Sequence, residues 1–128
     1  MKIRHNVAIS ALTTFQNEGV LPEVWQLETV DDAAQLVRSG RSYFVLGKGS
    51  NTLLNPHTEI AIIAMISPQW CVPTVSGTHL HVGAGTPVSV LMKLCLEYGL
   101  TGLEFAAGVP ATIGGMVAMN FGCWGSDM

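Results

Sequence analysis

The sequence predicts an α+β domain, and three observations predict it. Short runs of β-branched and aromatic residues alternate with stretches whose apolar residues recur at helical spacing. Hydrophobic residues fill 48% of the 128 positions and charged residues 12%, so there is ample material for a core. At this length folding hides about two-thirds of the unfolded surface. No repeat, low-complexity tract or Pro/Ser linker interrupts the chain, which therefore reads as one domain or a piece of a larger one.

The elements follow in order. Thr29-Val30-Asp31-Asp32 ahead of Ala33, Ala34, Leu36 and Val37 opens a helix. Thr29 is its N-cap, Asp32 sets a carboxylate near the positive end, and Gly40 stops it. Residues 43–46 form a short strand expected to be buried, running straight into Gly47-Lys48-Gly49-Ser50-Asn51. Residues 60–66 are the longest aliphatic run and read as a buried strand, far short of the ~20 residues a membrane helix requires. Two more short strands, around 73–75 and 78–82, make a hairpin with Ser76-Gly77 as its turn. Val88, Leu91, Leu94 and Cys95 then repeat at helical spacing, with Pro87 in the first turn and Gly99 as a left-handed cap. Beyond Gly102 the chain is rich in glycine, with a short helix expected after Thr112.

Charge and cysteine usage narrow the function. Six Lys and Arg against nine Asp and Glu give a net charge of −3 without a basic cluster, so a nucleic-acid partner is not expected. Polar residues break the apolar stretch behind Lys2, Arg4 and His5, leaving no secretory segment, and a cytoplasmic location without membrane partners is the expectation. Cys71, Cys95 and Cys123 are odd in number and widely spaced; they read as buried free thiols rather than a disulfide or zinc set. His79 and His81 share one side of a strand but lack a third ligand, so no metal is expected. Glu104 reads as a structural acceptor of backbone hydrogen bonds, and Trp25 and Trp70 as packing residues.

Two loops carry chemistry. In Leu46-Gly47-Lys48-Gly49-Ser50-Asn51 the glycines let backbone N–H groups turn inward as an anion-binding nest, with Ser50 and Asn51 adding donors. Thr52 stands where a Rossmann loop needs its third glycine, and Gly49 follows Lys48 where a Walker loop needs Ser or Thr. A plain tight turn is the alternative. The second segment, residues 102–116, combines small residues with a helix start near Thr112, whose N–H groups would face a flat ring or an anion. A glycine-lined helix–sheet contact is its alternative.

Taken together, Leu46-Gly47-x-Gly49-Ser50-Asn51, Gly102-Leu103-Glu104, Gly108-Val109-Pro110, Thr112-Ile113-Gly114-Gly115 and Met119-Asn120-x-Gly122 resemble the UDP-N-acetylenolpyruvoylglucosamine reductase (UDP-N-acetylmuramate dehydrogenase) family. Leu12-Thr13-Thr14-Phe15 and His81-Val82-Gly83-Ala84-Gly85 add to the resemblance, which spans nearly the whole chain in the family's order. It implies an FAD-binding domain of the vanillyl-alcohol-oxidase type with two α/β lobes: residues 1–85 the first, and 86–128 the start of a second, incomplete one. It assigns Gly47, Lys48, Gly49, Ser50 and Asn51 to the FAD diphosphate. Val109, Pro110, Thr112, Ile113, Gly114 and Gly115 go to the flavin wall, with Trp124 at a position the family usually fills with Tyr.

Ala111 replaces a family glycine, and Phe121 and Cys123 replace alanines. In the family NADPH is the reductant and a UDP-sugar the substrate. The serine, arginine and glutamate of that chemistry have no matching motif here, so no catalytic residue is assigned and the chain alone is expected to be inactive. With its second lobe incomplete, the chain is also expected to self-associate through exposed apolar surface. Another FAD-dependent oxidase or dehydrogenase of the same fold, or a non-catalytic nucleotide-binding fragment, is the alternative.

Overall fold

A computed structural model of the chain describes residues 1–70 and 72–128. The expected burial of Cys71 lies outside the described residues. The main feature is a four-stranded mixed sheet in the order β1-β2-β4-β3, formed by β1 (Lys2–Ala8), β2 (Val20–Leu27), β3 (Tyr43–Val45) and β4 (Ile62–Ile66). β1 runs antiparallel to β2, while β2 and β3 both run parallel to β4.

Helix α1 (Val30–Arg38) carries the chain from β2 to β3, across the place β4 takes between them. Its start follows the sequence expectation: the Asp32 N–H donates to Thr29 Oγ1, and the Thr29 N–H donates back to the Asp32 carboxylate. That reciprocal box satisfies two of the first-turn N–H groups.

The side chains of β4 divide the core. Ile62 and Ala64 join Trp25, Leu27 and Leu36 beneath α1, and Ile63 joins Val7, Ile9, Leu12, Leu21, Val24, Leu46 and Leu54 on the other face. A central parallel strand buried on both faces reads as an unbroken aliphatic run, which is what residues 60–66 show.

The sequence pattern does not announce β1 or β2. β1 is exposed at every position except Val7, and Ile3, Val7 and Ala8 are spread among four polar residues without a clean alternation. β2 contains Pro22, which has no N–H for a ladder. The structure accommodates it: β2 pairs with β4 only from Val24 onward, and Pro22 lies opposite Asn6, whose φ is +52°.

One expectation is corrected. Residues 43–45 do form a strand, but Tyr43, Phe44 and Val45 are exposed rather than buried. β3 is the sheet's edge, so no strand covers its outer side, and only Leu46, at 2% exposure, turns into the core.

The rest of the chain adds a small hairpin and a separate apolar cluster. β5 (Thr74–Ser76) and β6 (His79–His81) form the expected hairpin, with the turn one residue later at Gly77-Thr78. α2 (Val88–Tyr98) starts after Pro87, which caps it from an extended conformation instead of entering its first turn, and ends at Gly99 in the left-handed region. α3 (Ile113–Ala118) is capped by Thr112 as expected, and β7 (Gly122–Cys123) with β8 (Ser126–Asp127) closes a small hairpin. Val88, Phe105, Ala106 and Met116 form this cluster, with Phe121 stacked on Phe105 at 6.2 Å. The large ring at position 121 is therefore used in packing. Among the described residues, no helix is long and apolar enough to cross a membrane.

The surface network around Glu23 gives a pH signature. The Arg41 guanidinium donates twice to the carboxylate at 3.0 Å, and the Trp25 indole N–H donates at 2.7 Å. These donors, Arg41 first, hold the Glu23 carboxyl below its ordinary 4.5. A lowered folded pKa contributes stability that is present above 4.5 and disappears as pH falls through the folded value. Thermal melting between neutral and acid pH is expected to show a steeper acid-side decline for the natural chain than for Glu23→Gln, and parallel declines would refute the assignment.

Candidate functional site

The site lies at the carboxyl ends of the three parallel strands, where α/β sheets place their ligands. Leu46 extends β3 by donating its N–H to the Ala64 carbonyl at 2.8 Å. Gly47 to Asn51 then turn away from the sheet. Gly49 is buried with φ +70°, and a Cβ there would run into the Leu12 carbonyl oxygen. The Gly49 carbonyl accepts from the Thr14 N–H at 2.9 Å, so the Leu12-Thr13-Thr14 segment pins the loop from behind.

The loop's donors are left open. Among the described residues, the backbone N–H groups of Gly47, Lys48, Gly49, Ser50 and Asn51 make no hydrogen bond to the protein. The Thr13 hydroxyl, packed behind the loop, is buried and also without a partner. Gly49 is buried, Gly47 and Ser50 are half-buried, and Lys48 and Asn51 are exposed; a buried backbone donor is almost always paired. A consecutive set left unpaired in a concave turn has the chemistry of an anion cradle.

The second segment docks directly on this loop. A Cβ on Gly47 would come within 2.8 Å of Thr112 Oγ1 and 3.5 Å of the Gly115 Cα. A Cβ on Gly114 would meet the Ala84 Cβ at 2.8 Å. The two motifs therefore touch, at a separation no side chain could share.

The expectation that the α3 start presents free N–H groups is corrected. Ile113 N–H donates to the Thr86 carbonyl at 2.9 Å, Gly114 N–H to the Ala84 carbonyl at 2.8 Å, and Gly115 N–H to Thr112 Oγ1 at 3.2 Å. The segment ahead of α2 supplies acceptors for the first two donors, and the Thr112 cap takes the third. This segment offers walls and a hydroxyl instead of an amide cradle.

Three clefts meet at the junction. The largest, about 410 Å³, is lined by Val45, Leu46, Gly47, Lys48, Met65, Ile66, Ala84, Gly85, Thr112, Gly114 and Gly115 among others, and is chiefly apolar. A second, about 200 Å³, is bounded by the whole of residues 47–52 together with Val109, Ala111, Thr112, Gly115, Met116, Met119 and Phe121. A third, about 230 Å³, lies between Lys48, Ser89 and the Gly108-Val109-Pro110-Ala111 turn.

Ten of the sequence-assigned residues thus line clefts: Gly47, Lys48, Gly49, Ser50, Asn51, Val109, Pro110, Thr112, Gly114 and Gly115. Ile113 packs into the second apolar cluster and lines none of the three. Trp124 sits at the tip of the β7–β8 turn, 90% exposed with φ +57°, and is not brought to the site. Met65, Ile66 and Gly85 are site residues that sequence reasoning misses. The Gly83-Ala84-Gly85 motif is the available signal, since a Cβ on Gly85 would strike the Ile66 carbonyl oxygen.

The remaining candidates lie outside the three clefts. Glu104 accepts the Gly102 N–H at 2.8 Å. His79 and His81 are exposed, and no His, Cys, Asp or Glu group able to hold a metal occurs among the described residues. Cys95 is a buried free thiol, pushed up in pKa by burial and then by Glu104; Cys123 is free and half-buried.

Comparison with known proteins agrees with this geometry. Residues 22–128 match the family described as FAD binding domain. The UDP-N-acetylenolpyruvoylglucosamine reductase of Halalkalibacterium halodurans is 33% identical over 99% of this chain and 44% of its own length. That of Caldanaerobacter subterraneus subsp. tengcongensis is 35% identical over 79% of this chain and 33% of its own. The crystal structure of UDP-N-acetylenolpyruvylglucosamine reductase from Thermus caldophilus superposes with a TM-score of 0.75 at 30% identity, over 99% of this chain and 45% of that one. The chain spans less than half the length of these relatives.

The contact behind the loop gives a graded test. Gly49→Ala combines a left-handed backbone with a collision against Leu12, whereas Gly77→Ala, at φ +58°, meets nothing within 4 Å. Gly77→Ala is expected to cost about 1–2 kcal/mol from backbone strain alone, and Gly49→Ala clearly more. Denaturant unfolding of both variants checks the order, and equal losses would contradict the packing described.

Proposed function

The chain belongs to the FAD binding domain family, and on that premise we propose that it is the FAD-binding portion of an NADPH-dependent reductase that converts UDP-N-acetylenolpyruvoylglucosamine to UDP-N-acetylmuramate. One observation carries the reading: the unpaired N–H groups of Gly47 to Asn51, held against Thr112 and Gly115 at the carboxyl ends of parallel strands. A cradle of neutral donors beside a largely apolar cleft suits a diphosphate joined to a flat heteroaromatic ring.

When bound, FAD supplies two-electron hydride chemistry. The protein's part is to hold and shield it. In this reading Gly47 to Asn51 hold the diphosphate through their backbone, Ser50 and Asn51 adding side-chain donors. Val109, Pro110, Thr112, Gly114 and Gly115 wall the adjoining clefts, with glycine wherever the backbone comes close to its neighbour. Ile113 supports the wall from the apolar cluster.

The reading divides the molecule into a first lobe, residues 1–85, and the start of a second, residues 86–128. The separate apolar clusters of the sheet and of α2–α3 support that division. A cytoplasmic location and recognition of the UDP-sugar by a full-length enzyme belong to the same reading. No residue of this chain is assigned to proton transfer, and the chain alone is expected to show no NADPH-dependent turnover of the enolpyruvyl substrate.

Titration of the purified chain with FAD, followed by flavin fluorescence quenching, tests the site. Asn51→Asp changes one exposed side chain in the cradle from an amide to an anion. Loss of its donor together with charge repulsion is expected to weaken binding about tenfold, with the melting temperature unchanged. Equal affinity in the variant, or no saturable binding by a folded chain, would sink the proposal.

A further inference from the structure

Lys48 holds a position no other charged side chain shares. It lines all three clefts, and among the described residues lining them it is the one that carries charge. Its neighbours in the loop have little freedom to carry side chains: Gly47 abuts Thr112, and Gly49 abuts Leu12. Position 48 is the exposed link between them. Lys2 and Arg41 are committed to Glu28 and Glu23, whereas Lys48 enters no ion pair among the described residues.

Backbone N–H groups bring dipoles to an anion but no net charge, and the chain as a whole carries −3. A dianionic diphosphate entering the cradle would be left uncompensated by amides alone. An ammonium on a flexible four-carbon stem at the mouth of the three clefts supplies the missing charge.

We propose that the Lys48 ammonium is the counter-ion of the diphosphate, and so the residue that makes this site discriminate phosphate-bearing flavins from neutral ones. The choice of a flavin diphosphate as ligand rests on the preceding reading; the placing of a lone positive charge at the clefts does not.

The experiment compares the natural chain with Lys48→Gln and Lys48→Arg, using FAD, riboflavin and inorganic pyrophosphate as probes at low and high salt. Exposed or partly exposed charge pairs weaken as the screening length shrinks. Lys48→Gln is expected to bind FAD and pyrophosphate about tenfold more weakly at low salt, with the gap closing at high salt. Riboflavin binding should be unchanged, and Lys48→Arg should stay near the natural affinity.

Equal FAD affinity for Lys48→Gln at low salt would overturn the proposal, as would a salt-independent loss that extends to riboflavin. If the natural chain binds pyrophosphate through Lys48 but not FAD, the flavin reading fails and the diphosphate contact stands. If it binds neither, both fall.

Discussion

Backbone N–H groups need acceptors, and the way this chain distributes acceptors shapes its architecture. The sheet pairs most of the donors in its strands, and Thr29 with Asp32 closes the start of α1. At α3 the carbonyls of Ala84 and Thr86 and the Thr112 hydroxyl take up the first donors. The stretch from Gly47 to Asn51 differs: among the described residues its N–H groups make no hydrogen bond to the protein. Those donors sit where three clefts meet, with Leu12 to Thr14 holding the turn from behind and Thr112 to Gly115 standing in front. The donors of α3's first turn are thus taken within the protein, while those of the glycine turn face the clefts.

The electrostatics are as economical as the hydrogen bonding. Carboxylates and most cations lie away from the site: Glu23 with Arg41 near the sheet edge, and Glu28 and Asp32 with the N-terminus and Lys2. The cleft walls are aliphatic, glycine and alanine, with Thr112 and Gln26 among the polar groups. Lys48, on the exposed link of the turn, is the charged side chain among the described residues lining the clefts.

Much of this architecture is legible in the amino-acid sequence. Thr29, Gly40, Gly99 and Thr112 bound their helices because caps depend on local chemistry alone, and the Gly47-x-Gly49 turn announces itself because few other features need that spacing. What escapes a sequence reading depends on neighbours distant along the chain. Residues 43–45 are apolar yet exposed, because burial depends on whether a strand lies at the edge. The amides of Ile113 and Gly114 read as free because their acceptors, Thr86 and Ala84, are supplied by tertiary contact. β2 is hidden by Pro22, which is tolerated only because its pairing with β4 begins at Val24. Family position puts Trp124 near the flavin, whereas a two-residue turn carries it into solvent.

The insertion of β4 between β2 and β3 has a consequence for the growing polypeptide. The two outer parallel strands leave the ribosome first, with the central one that joins them still unmade. When β4 arrives it completes the sheet, but the glycine turn still faces water, because its opposite wall comes from Thr112 to Gly115. A nascent chain ending before α2 therefore has the floor of the site without its far side. Non-local pairings are slow to form and expose edges while they wait, so the two walls of this turn are brought together only after the sheet itself is complete.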